Sequence, residues 1–299
     1  MALSYRIIAT SILETGLIIA WSSGFIGGTL ASKTSSIFLV LFWRFLLAAL
    51  LLTPLALPQL RRMTRRDIKL QALIGSFAMF GYLATMIAAI DIGVSPGVAA
   101  LIAALQPLAT AALSGGILGE RVVPKQWIGL AVGLLGVAVS VIGGFKQTPL
   151  TGYALALVSM ACIVTATLIA KAKTGTAPIL PALTVQCTVT ALLFLPLAAF
   201  DGGLAPEITF TFGYAVTWFI LFSTFGAYGL YWANLKRTSA TRVSSLIYLT
   251  PPVTAVWAYK MFDEPITMPV VVGFLLCLVG VGLARNGTYR HKTLLMHQD

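Results

Sequence analysis

The sequence predicts an all-α polytopic membrane protein in which ten transmembrane helices form two inverted five-helix repeats around a central cavity. Three observations carry that prediction. The 299-residue chain is 58% apolar and 10% charged, with a mean hydropathy of +0.93, well above soluble domains, whose apolar share is about half. Apolar runs of roughly 20 residues, long enough to cross about 30 Å of hydrocarbon as a helix, recur from one end of the chain to the other. The second half repeats the first at a nearly constant offset.

The runs cover residues 8–30, 36–57, 70–90, 96–118, 124–144, 150–170, 178–199, 212–234, 242–262 and 266–284. The first has the outline of a signal peptide, with Arg6 ahead of an apolar run and Thr29-Leu30-Ala31 after it. Its counterpart in the second half argues that it stays as a span. If the spans alternate in direction, 16 of the 20 basic residues fall on one side, including Arg61, Arg62, Arg65, Arg66 and Lys69. Lys33, Lys146 and Lys260 fall on the other, and Arg44 lies inside a span. Cytoplasmic loops carry the excess of Lys and Arg, so both termini are expected inside a bacterial inner membrane. The net charge of +11 is thereby a topology signal and implies no nucleic-acid partner. Cys162, Cys187 and Cys277 lie within spans without metal-ligand spacing, and no cofactor or metal is expected.

At an offset of 144 residues, Gln106-Pro107 aligns with Thr250-Pro251, Thr110 with Thr254, Glu120 with Glu264, Gly129 with Gly273, Gly133 with Cys277 and Gly136 with Gly280. At an offset of 142, Ala49 aligns with Ala191 and Pro54 with Pro196. The repeats are residues 1–146 and 147–299, with five spans each. Five is odd, so the second repeat must enter the membrane from the opposite side. Such a pair has two related conformations, one open to each face, which is the geometry of alternating access.

Pro107, Pro251 and Pro252 stand near the middle of the fourth and ninth spans. Each strands the carbonyl four residues earlier, those of Ala103, Ile247 and Tyr248. A free carbonyl at that depth is tolerated only where protein or a wet cavity satisfies it. One reading is a pair of kinked helices bonded to neighbours; the other is a central binding cavity. For the cavity the lining candidates are Trp21, Ser22, Tyr82, Met86, Gln106, Tyr228, Trp232, Ser244, Ser245, Tyr248 and Thr250, polar or aromatic groups on otherwise aliphatic spans. The competing assignment for each aromatic is a lipid-facing or interfacial position, which fits Trp127, Trp218 and Trp257 best. Two charges lie inside spans. Glu14 is a candidate for proton coupling, although its side chain leans toward the nearer water and has room to snorkel. Arg44 reads as structural.

Catalytic readings fail. Residues 93–97, GVSPG, match GxSxG, but a nucleophile elbow needs a strand and a nearby histidine, and the only histidines are His291 and His297 in the tail. No HExxH motif or P-loop is present, so the chain is expected to be neither an enzyme nor its own ATP-driven motor. Gly129, Gly133 and Gly136, matched by Gly273, Cys277 and Gly280, form small-residue stripes that serve either packing within the chain or a homodimer.

Two five-span repeats, each with a proline-containing span followed by Glu (Pro107 to Glu120, Pro251 to Glu264) and a glycine-rich span, together with Trp43-Arg44-Phe45, resemble the drug/metabolite transporter superfamily of EamA type. The likeness covers essentially the whole chain. Within it the sequence is most similar to the YddG-like aromatic amino-acid exporters. The resemblance implies a basket in which spans 1, 3, 4, 6, 8 and 9 surround the cavity while 5 and 10 are peripheral. It also implies a small-molecule substrate in place of a macromolecular partner. Gln186 stands where the first repeat has Arg44, a departure from symmetry. The expected function is export of small amphipathic metabolites, aromatic amino acids first. Drug or nucleotide-sugar transport and a passive channel are the alternatives.

The charge bias makes a direct prediction. In a cysteine-free background, Arg65→Cys reacts with an impermeant thiol reagent only from the cytoplasmic side; labelling from the periplasm alone overturns the inverted-repeat topology.

Overall fold

The computed structural model describes residues 2–31, 36–94, 96–140, 149–173, 178–263 and 266–285. Lys33, Ser95, Lys146, Glu264, Arg290, His291, Lys292 and His297 lie outside the described residues, and no side chain is described for Arg6 or Arg285. The described residues form helices and no strand. In chain order they are α1 (Ala2–Ala31), α2 (Ile37–Leu60), α3 (Arg65–Asp91), α4 (Pro96–Ala103 and Gln106–Leu118), α5 (Pro124–Ser140), α6 (Leu150–Lys173), α7 (Ile179–Phe200), α8 (Phe210–Arg237), α9 (Ala240–Ser245, Leu246–Leu249 and Thr250–Phe262) and α10 (Met268–Arg285). Six of them, α2, α3, α4, α6, α7 and α8, are long and apolar enough to cross a bilayer by length and composition. The other expected spans correspond to α1, the short α5, the broken α9 and α10.

The breaks fall where the prolines are. α4 leaves helical geometry at Ala104 and Leu105 and resumes at Gln106, so that Pro107 sits in a first turn, where a missing N–H forfeits nothing. α9 tightens into a 3-10 turn at Leu246–Leu249 and restarts at Thr250 with Pro251 and Pro252 in its first turn. Both restarted pieces end on a left-handed residue, Gly119 (φ 67°) and Asp263 (φ 56°), types that tolerate that backbone. The sequence pattern did not reveal that α3 and α8 each contain a π-helical stretch, Ser76–Gly81 and Phe219–Tyr228. These stretches occupy overlapping positions of the two halves.

Packing exchanges partners between the halves. α1 packs on α8 and α9, whereas α6 packs on α3 and α4; α2 lies along α7, and α5 along α10. The start of α2 is fixed to the end of α7 by Ser36, whose Oγ accepts from the Leu39 amide at 3.1 Å and donates to Asp201 at 2.6 Å. The α5–α10 seam is glycine-lined. A Cβ at Gly129 would lie 2.6 Å from the Ala284 nitrogen, and one at Gly136 would lie 2.7 Å from the Cys277 sulfur. Ascending α5 therefore means descending α10: the two helices are antiparallel, with their small-residue faces in contact. The stripe serves packing within the chain.

This seam yields a stability prediction. Gly136→Ala forces the two backbones apart and destabilises the fold by about 1–3 kcal/mol. Gly116→Ala, at a helical position with no atom within 4 Å of the added methyl, raises stability by about 0.5–1 kcal/mol. Thermal unfolding in detergent compares the two.

Candidate substrate-binding site

The restarts of α4 and α9 bring polar residues into the middle of the bundle, where α1, α6 and α8 surround them. Their hub is Tyr231 on α8, fully buried and outside the sequence-based set of binding candidates. Its hydroxyl meets Thr167 Oγ1 at 2.6 Å and accepts from Gln106 Nε2 at 3.2 Å. Its ring lies 5.1 Å from both Trp21 and Trp232, and Trp21 is 5.6 Å from Tyr228. Trp21, Gln106, Tyr228 and Trp232 thus form one buried cluster with Thr167 and Tyr231, while Tyr82 packs half-buried against the same core and its carbonyl accepts from Ser159 Oγ at 2.6 Å.

Other candidates take different roles. Ser22 Oγ donates to Ile18 at 2.7 Å and to the Thr250 carbonyl at 3.2 Å, clasping α1 to the restart of α9. Thr250 Oγ1 donates to the Ile247 carbonyl at 2.6 Å. That carbonyl, expected to be free for a ligand, is satisfied by the residue preceding the prolines. Ser244 Oγ donates to Thr110 Oγ1 at 3.2 Å, joining the two broken helices. Ser245 turns back on its own helix, donating to the Arg242 carbonyl at 2.8 Å. Tyr248 does not face the cluster; its ring presses on Gly133 of α5, a contact only glycine permits, and its buried hydroxyl has no partner among the described residues. Met86 packs in a separate satellite core with Ala89, Val98 and Ala156. Trp218, assigned to lipid by its position, is instead 8% exposed; its indole N–H donates to the Ser23 carbonyl at 2.9 Å and its ring lies 5.5 Å from that of Trp257.

Both intramembrane charges are held by protein. Glu14 forms an ion pair with Arg242 at 2.6 Å. Arg44, 2% exposed, donates to Thr224 Oγ1 at 2.9 Å and lies between the rings of Phe45 and Phe219, 4.6 Å from each centroid. Cation–π contact supplies what no described carboxylate does. Around the Glu14 pair, further contacts tie helix ends together. Glu120 accepts from the Ala240 amide at 2.9 Å, Lys171 donates to the Leu235 and Thr238 carbonyls at 2.8 and 2.7 Å, and Asn234 donates to the Leu13 carbonyl at 3.1 Å.

A cavity of about 140 Å³ opens beside the cluster, lined by Gln71, Ile74, Lys171, Ile179, Ala182, Gln186, Trp232 and Lys236 among others. Trp232 Nε1 donates to Gln186 Oε1 at 3.0 Å, and Gln186 Nε2 donates to Gln71 Oε1 at 2.8 Å. The glycine at 75 makes this contact possible, because a Cβ there would lie 2.7 Å from the Gln186 Cα. Gln71, outside the sequence-based set, carries a signal in hindsight: a lone amide just inside an apolar run.

An apolar helical bundle with a polar, aromatic centre and broken helices defines a membrane transporter. The family model for EamA-like transporters matches residues 11–142 and again 150–285, and the chain belongs to the EamA-like transporter family. It is similar to the "Probable amino-acid metabolite efflux pump" of Escherichia coli K12, 25% identical over 252 residues that cover 79% of this chain and 83% of that protein. It is also similar to an "Uncharacterized transporter" of Archaeoglobus fulgidus, 25% identical over 197 residues, 64% of this chain and 68% of the relative. A crystal structure with 19% identity shares the fold, with a TM-score of 0.79 over 92% of this chain and 96% of that one.

Tyr231→Phe tests the hub. It removes one hydroxyl but leaves Thr167 and Gln106 without it, so a loss of about 1–3 kcal/mol is expected, read as a lowered Tm of the purified protein.

Proposed function

We propose that this transporter is an exporter of small amphipathic metabolites across a bacterial inner membrane, that aromatic amino acids are its leading substrates, and that it works by alternating access in the manner of the YddG-like exporters. The observation that carries the reading is the buried cluster of Trp21, Tyr228, Tyr231 and Trp232 beside Gln106 at the helix break. A zwitterion requires hydrogen-bond partners more than full counter-charges, and an aromatic side chain requires rings. In the closed arrangement these polar groups bond one another. Substrate binding exchanges such bonds for bonds to the ligand, at a small net change in free energy. The name of the Escherichia coli relative, an amino-acid metabolite efflux pump, supports the substrate class.

The same reading takes ten spans as two inverted repeats, residues 1–146 and 147–299, with both termini cytoplasmic. The antiparallel α5–α10 seam and the exchanged packing of α1 and α6 support it, as do the two successive matches to the family model. Because the glycine stripes are engaged within the chain, no second copy is required. The ion pair with Arg242 favours a latch over a proton carrier as the role of Glu14.

The test is flux of a labelled amino-acid panel in proteoliposomes. Trp232→Ala weakens aromatic substrates by roughly threefold to tenfold relative to aliphatic ones, the worth of a ring contact of about 0.5–1.5 kcal/mol. Gln106→Ala weakens both classes alike. Equal losses for phenylalanine and an aliphatic analogue in Trp232→Ala, at matched reconstitution, would remove the aromatic reading. A Glu14→Gln protein that loses pH-gradient dependence while keeping downhill flux would restore proton coupling to that residue.

A further inference from the structure

The cavity beside Trp232 stands where four helices converge: Gln71 near the start of α3, Lys171 at the end of α6, Ile179 and Ala182 at the start of α7, and Lys236 at the end of α8. These ends belong to the side to which the charge bias assigns 16 of the 20 basic residues. Its volume of about 140 Å³ is several times the roughly 30 Å³ share of one water and below the roughly 300 Å³ floor of drug-sized pockets. Its chemistry is divided. Ile179 and Ala182 give an apolar wall, the two ammonium groups give positive charge, and Gln71, only 2% exposed, lines it with a side-chain amide whose oxygen accepts from Gln186 Nε2. Trp232 is a shared wall, its N–H engaged with Gln186 on this side and its ring edge-on to Tyr231 of the central cluster at 5.1 Å.

The matching place in the other half is filled. There Arg44 stands for Gln186 and Val40 for Ala182; Val40 is fully buried, and the Arg44 guanidinium is wedged between Phe45 and Phe219. One face therefore holds a cavity where the opposite face holds packed side chains.

We infer that this cavity is a loading site, where a carboxylate-bearing apolar substrate is held at the cytoplasmic ends of α3, α6, α7 and α8 before it passes Trp232 to the centre. The inference rests on the exporter reading and assigns it a carboxylate-recognising step. Lys236 and the Gln71 amide hold the carboxylate, and the substrate side chain lies on Ile179 and Ala182. Lys171, fixed by the Leu235 and Thr238 carbonyls, adds positive potential.

The experiment measures export of labelled phenylalanine and of phenylalaninamide, which lacks the carboxylate, in proteoliposomes holding wild type, Lys236→Gln or Ala182→Phe, each checked for thermal stability and reconstituted amount. Lys236→Gln is expected to raise the apparent KM for phenylalanine roughly threefold to tenfold, the range of a partly exposed charged contact, with the maximal rate and the phenylalaninamide kinetics unmoved. Ala182→Phe, which fills the cavity, is expected to raise KM for both compounds. An unchanged KM in folded Lys236→Gln, or an equal change for both compounds, overturns the loading site while leaving the exporter reading intact. The series is run in phosphatidylcholine vesicles with and without phosphatidylglycerol. A Lys236 effect confined to the anionic vesicles would mean that a lipid phosphate occupies the cavity, which also overturns the inference. Wild-type protein that moves neither compound, nor any amino acid, faster than empty vesicles defeats the exporter reading itself.

Discussion

Hydrocarbon offers no hydrogen bonds, and most of this architecture follows from the way the chain meets that constraint where its helices are broken. A proline in mid-span strands a carbonyl, and the stranded group must be met from within the protein. Here the stranded Ile247 carbonyl is met by the Thr250 hydroxyl, and Ser22 of α1 ties the restart of α9 in place through the Thr250 carbonyl. Polar side chains are drawn to the middle of an apolar bundle for this reason. Once there, they concentrate around Tyr231, and the requirement that holds the helices together also creates a region where a polar solute can find partners.

The second organising feature is exchange. α1 completes the half formed by α8 and α9, and α6 completes the half formed by α3 and α4. The α5–α10 seam stands outside this exchange and is close-packed through backbone, with glycines replacing side chains as the contact surface. Helices joined by glycine to backbone have little freedom to slide. Helices joined through tyrosine, glutamine and serine hydroxyls have alternative partners and can re-pair. The scaffold and the working parts of the molecule are thus distinguished by the chemistry of their contacts.

Much of this was legible in the sequence because bilayer constraints are one-dimensional: length, hydropathy and the side on which Lys and Arg fall. The spans, the proline breaks and the repeat offset all leave linear traces, and so do Gln106, Trp21, Tyr228 and Trp232, isolated functional groups on aliphatic helices. What escaped depends on rotation about a helix axis. Tyr248 and Ser245 look like their neighbours in sequence, yet one points at Gly133 and the other back along its own turn. The π-helical stretches of α3 and α8 shift the helical phase, so face assignments made on 3.6 residues per turn lose register beyond them. Trp218 read as lipid-facing from its place near a span end, and is buried because its indole N–H reaches the Ser23 carbonyl and its ring meets Trp257.

The contacts around residues 234–242 bear on more than local order. Through that short segment, Glu120 on the α4 side, Lys171 on α6, Glu14 and the Leu13 carbonyl on α1 all reach the junction of α8 and α9. Hydrogen bonds to charged groups are each worth about 1.5–3 kcal/mol and the neutral Asn234–Leu13 bond about 0.5–1.5 kcal/mol, and parting the helices there breaks them together. At the opposite end the described clasp is lighter: Ser36 bonds Asp201, and the Trp43 indole N–H donates to the Leu204 carbonyl. Under the alternating access proposed above, the molecule would work as a bag with the heavier drawstring at one mouth: its resting posture would be set by how firmly that knot is tied, and weakening any one strand of it would shift the balance between the two mouths without altering the lining of the bag.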